Sequence, residues 1–139
     1  MKGMFNSAVF KVLKKSLDTC QLRQKVIAQN IANVDTPKYK KAFVTFEEEL
    51  KKALTEVKGL RGYRSHPRHI PIPADWVELD QVKGRVFLEN DYKNRVDKNN
   101  VDLEEEMANL SRNTILFNIY SQLIATKYKM FASVIEERG

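Results

Sequence analysis

The string Gln29-Asn30-Ile31-Ala32-Asn33-Val34-Asp35-Thr36-Pro37-Lys38-Tyr39-Lys40 marks the place where a long helix has to stop. Proline disfavours helical backbone at the residue before it, so Pro37 predicts a helix end near Val34 or Asp35. Asn30 and Asn33 lie one turn apart on the same helical side, with amides able both to donate and to accept at a helix end. Asp35 and Thr36 suit a turn, Pro37 stiffens the exit, and Tyr39 can pack its ring while its hydroxyl meets water.

Upstream of this stop, Met4 to Asn33 contains no proline and no glycine. Phe10, Leu13, Leu17, Cys20, Gln24, Ile27, Ile31 and Val34 recur at steps of three and four, a heptad-like stripe with one polar interruption at Gln24. Far downstream a second helix is predicted from Asp102 to about Glu137. Asp102 followed by Glu105 reads as a capping box, and an acidic first turn suits the positive end of the helix dipole. Leu103, Met107, Leu110, Thr114, Phe117, Ser121, Ile124, Tyr128, Phe131 and Ile135 form its stripe. Beside it runs a second apolar row of Leu116, Ile119, Tyr120, Leu123, Met130 and Val134. At ~1.5 Å per residue such a helix spans about 50 Å. One partner helix covers one stripe, so the second row calls for more neighbours. Either the middle of the chain folds back over it or other copies of the chain do, and the modest apolar content of the middle favours other copies.

Between the helices the pattern changes. Phe46 to Val57 reads as a short helix with Leu50, Ala53, Leu54 and Val57 on one side. Trp76-Val77-Glu78-Leu79 and Arg85-Val86-Phe87-Leu88 read as short strands, and the turn-rich tract from Gly59 to Pro73 as a surface loop. The expected organisation is therefore one discontinuous helical domain from residues 1–41 and 95–139, with residues 42–94 as a middle region.

The formal charge of +6 over 139 residues is concentrated at the start, with nine Lys/Arg against two Asp/Glu in residues 1–46. A basic segment can meet nucleic acid or an anionic membrane, and Lys38, Tyr39, Lys40 and Lys41 set an aromatic among cations. It can equally meet an acidic helix, and the chain carries one at Glu104, Glu105 and Glu106. The internal partner is favoured because the cations sit among regular apolar positions; a basic helical nucleic-acid-binding protein is the alternative.

Catalytic chemistry is poorly supplied. His66 and His69 give two metal ligands at most, beside Arg64 and Arg68, where a zinc site needs three or four. No phosphate-cradling glycine loop or nucleophile motif is present, and Glu47–Glu49 and Glu104–Glu106 read as solvated helix faces. Cys20 is the only cysteine, which excludes an intrachain disulfide; its place on the stripe makes it a small buried hydrophobe. No enzyme, cofactor, metal site, small-molecule substrate or nucleic-acid partner is expected. No cleavable leader pattern and no membrane-length apolar run is seen, so any export is expected to use neither.

The twelve-residue string at 29–40 resembles the signature of the flagellar basal-body rod protein family, in which a long N-terminal helix ends in an N-x-x-N-x-x-T-P-x-Y-like stretch. Asp97-Lys98-Asn99-Asn100-Val101-Asp102-Leu103-Glu104-Glu105-Glu106-Met107 is similar to the D-G-N-N-V-D-L-x-x-E-M motif of the family's proximal-rod members. Lys38 and Lys98 stand where glycine is usual, which removes an easy left-handed backbone position if one is required. The resemblance implies a mainly α fold, in which long N- and C-terminal helices pair as an antiparallel, coiled-coil-like hairpin around a small irregular or β middle region. It implies a self-assembling structural subunit of the periplasmic rod of the basal body, exported by the flagellum's own type III apparatus. Its partners would be further copies, other rod proteins, the membrane-ring protein and the ring-rod adapter. The residues expected to carry assembly are Asn30, Asn33, Thr36, Pro37 and Tyr39; Asn99, Asn100, Asp102 and Met107; and Phe117, Leu123, Ile124 and Phe131.

Overall fold

The computed structural model describes residues 8–56, 79–89 and 98–136. Five elements follow one another: α1 (Ala8–Ala32), β1 (Ala42–Thr45), α2 (Glu47–Glu56), β2 (Arg85–Leu88) and α3 (Leu103–Glu136). The tract from Gly59 to Pro73, both histidines, and Trp76 to Glu78 lie outside the described residues. Leu79 falls in a turn, not in a strand.

α1 and α3 pack against each other along their lengths. Three pairs fix the antiparallel direction: Asn30 donates to Glu106 at one end, Asn113 donates to the Cys20 carbonyl in the middle, and the Phe10 and Tyr128 rings meet edge to face at 5.6 Å at the other. The chain is thus mainly helical, its terminal helices paired as a hairpin, with a small sheet beside them.

Both inner faces are turned from the predicted stripes by half a register. In α1, Leu13, Cys20 and Ile27 are buried as expected, but the alternating partners are Ser16, Arg23 and Asn30 rather than Leu17, Gln24 and Ile31. In α3, Leu110, Phe117 and Ile124 face inward, joined by Glu106, Asn113 and Tyr120, while Leu103 and Met107 stay exposed. The reason is that α1 has two neighbours. α3 covers one side, and β1 covers the other, where Val26 packs on Ala42 and Val44 with Leu22 alongside.

β1 and β2 form an antiparallel pair in the register Ala42↔Leu88 to Thr45↔Arg85. β1 was not anticipated from the sequence: four residues bounded by Lys40-Lys41 and Phe46-Glu47 give too short an alternation to stand out. α2 begins one residue later than Phe46, which instead joins Ala53 and Val82 in a second small core, with Leu50 against it. Gly84 lies so close to α1 that a β-carbon there would meet Thr19, Leu22 and Val44 side chains at 3.2–3.3 Å. Polar clamps hold the same segment. The Lys15 ammonium donates to the Asp80 and Val82 carbonyls, and Lys11 pairs with the Asp80 carboxylate, all at 2.8 Å. The hydrogen bond from Lys11 holds the Asp80 carboxyl below its usual range.

Candidate functional site

α1 ends in a run of turns, not in a clean break. The Asn33 N–H reaches the Gln29 and Asn30 carbonyls, Val34 reaches Ile31, Thr36 reaches Asn33 and Tyr39 reaches Thr36, at 3.0–3.3 Å. The Asn33 side chain donates to the Gln29 carbonyl, and the Thr36 hydroxyl donates to Asn33 Oδ1. These bonds leave the carbonyls of Asn33, Val34 and Thr36 pointing to one place. Asn99 fills it: its amide nitrogen lies 2.9–3.0 Å from all three, while its Oδ1 accepts the Val101 N–H.

The backbone bends required here explain two unusual residues. Lys38 and Lys98 have φ of 62° and 59°, the left-handed conformation that glycine adopts most easily. The two positions at which the sequence resemblance implies glycine do therefore take the left-handed geometry, with lysine at both.

Asn30 and Asn100 bracket the start of β1. The Asn30 side chain accepts the Ala42 N–H at 3.0 Å and donates to the Ala42 carbonyl at 2.8 Å, taking the place of a neighbouring strand. The same amide donates to Glu106 at 2.9 Å, and its oxygen accepts from the Tyr39 hydroxyl at 3.4 Å. Asn100 accepts the Lys41 N–H and donates to the Glu89 carbonyl, sealing the end of the sheet ladder. At the centre the Lys41 ammonium sits 2.9 Å from Glu105 and 3.0 Å from Glu106, with Lys41 8% and Glu106 1% exposed. Asn109 adds a contact to Glu106 at 3.4 Å. Burial pulls the Lys41 ammonium down, but hydrogen bonds to the two carboxylates outweigh it and Lys41 titrates above the usual lysine range. Burial, and then the Glu106 charge, push the Tyr39 hydroxyl up.

This corrects one reading of the acidic run. Glu106 is not a solvated face but half of an ion pair in the interior, held by Lys41 and by the side-chain amides of Asn30 and Asn109. Asp102 caps α3 as expected, accepting the Glu104 and Glu105 N–H groups, whereas the Glu105 carboxylate reaches Lys41. The basic segment finds internal partners too: Lys11 and Lys15 at residues 80–82, Arg23 at Glu47, and Lys41 at α3.

Of the sequence-predicted residues, the structure gathers Asn30, Asn33, Thr36, Tyr39, Asn99, Asn100 and Asp102 into this junction, with Pro37 exposed beside it. Met107 lies one turn into α3 and faces outward; Phe117, Ile124 and Phe131 are half-buried further along, and Leu123 is exposed. Sequence reasoning missed Lys41, Glu106 and Asn113. Glu106 and Asn113 are seven residues apart, in step with Tyr120, which was the one available signal that they share a face. Cys20 is buried, and desolvation raises its thiol, consistent with a packing role. Among the described residues no group of acidic, histidine or cysteine side chains is placed to hold a metal ion, and no helix is long and apolar enough to cross a membrane.

The α1 side of the junction lies within a segment that a family model matches. Residues 16–40 match a family model described as flagella basal body rod protein. Over 124 residues the chain is 36% identical to the flagellar basal body rod protein FlgB of Borrelia hermsii, covering 86% of this chain and 90% of that protein. It is 29% identical over 129 residues to FlgB of Bacillus subtilis strain 168, covering 93% and 94%. The FlgB of Salmonella typhimurium strain LT2 is 26% identical over 133 residues, again covering 93% and 94%.

Proposed function

Because the chain belongs to the family of FlgB flagellar basal body rod proteins, we propose that it builds the proximal rod by packing its helical hairpin against further copies and neighbouring rod proteins. The coarser statement needs no proposal: this is a structural protein of the flagellar basal-body rod and not an enzyme. The observation that supports the assembly reading is the outward side of α3. Ile115, Ile119, Leu123 and Met130 are 45–59% exposed on a helix whose other side is already paired with α1. An apolar row of that length on an already partnered helix is a surface for association.

In this reading the helices form one discontinuous rod-core domain and the segment 42–94 a lobe beside it. Copies are passed outward by the flagellum's own type III apparatus and join the membrane ring, through its adapter, to the rest of the axial structure in the periplasm. Coupled ordering of the helix ends on assembly follows from the same exposed row.

The test is deletion of the gene in its host, with basal bodies viewed by electron microscopy beside a complemented strain. Membrane rings without a rod, restored by complementation, are expected. Complete rods bearing filaments would overturn the proposal.

A further inference from the structure

No further inference is drawn: the strongest candidate, the outward apolar row of α3 at Ile115, Ile119, Leu123 and Met130, belongs to the assembly surface already proposed, and nothing in the structure shows what covers it.

Discussion

The hairpin is polar at its buried junction and apolar along the exposed side of α3, and these two stretches are best understood against each other. At the junction, positions that a hydrophobic stripe would fill with leucine hold Asn30, Asn99, Asn100 and Glu106, each within 3% of complete burial. From Ile115 to Met130 the outward side of α3 carries the leucine, isoleucine and methionine that a core would have used. Apolar contacts are strong but indifferent to register; a buried amide or charge tolerates one arrangement only, because any other leaves it unsatisfied. The junction therefore fixes how α1, β1 and α3 meet, and the outward row leaves apolar surface that α1 does not cover.

The largest break in this contrast is expected from Lys41→Met, which strands Glu106 in the interior and should lower stability by about 3–5 kcal/mol, read as a fall in the urea midpoint. Replacing Lys41 and Glu106 together by Met and Leu should recover most of that loss. pH offers the same test without mutation. Lys41 and Tyr39 both titrate above their usual values in the folded chain. Their contribution is thus complete below about pH 10 and lost as pH rises through the folded values. A melting temperature that falls faster above pH 10 in the parent chain than in Lys41→Met is the expected sign.

Asn30→Ala comes next. It leaves the Ala42 N–H and carbonyl without their partner and is expected to cost about 2–3 kcal/mol, with amide exchange at Ala42 accelerating in parallel. Lys38→Gly and Lys98→Gly act in the other direction, each relieving a left-handed residue and raising stability by about 0.5–1 kcal/mol, visible as a higher thermal midpoint. The smallest effect on folding belongs to the other region. Ile119→Asp with Leu123→Asp should change the monomer by no more than about 0.5 kcal/mol, yet abolish motility in a complementation assay. A destabilisation as large as that of Lys41→Met would mean the row is covered within the chain.

These two regions also show what the sequence could and could not display. The helix stop at Pro37, the Asp102 cap, the strand at Arg85–Leu88 and the paired signatures were legible because each rests on local chemistry. The facing positions were not. Each helix offers two interleaved half-registers, and hydrophobicity favoured Leu17 over Ser16, Ile31 over Asn30 and Met107 over Glu106. What decides is that Asn30 has the backbone of Ala42 to bond and Glu106 has Lys41 to neutralise it. These partners are the first residue of β1 and the one just before it, β1 being an element too short to announce itself. The expectation of glycine at positions 38 and 98 located the left-handed turns correctly even though lysine occupies them.

Asn99 adds a consequence in time. Its amide gathers three carbonyls that precede it by 63 to 66 residues. A chain emerging from its N-terminus can form α1, but the turns after it wait for a donor that arrives with the last third. Until then Glu106 is absent and the Lys41 N–H has no Asn100 to meet. The junction can therefore close only once residues 99 to 106 have been made, so its completion comes late along the polypeptide.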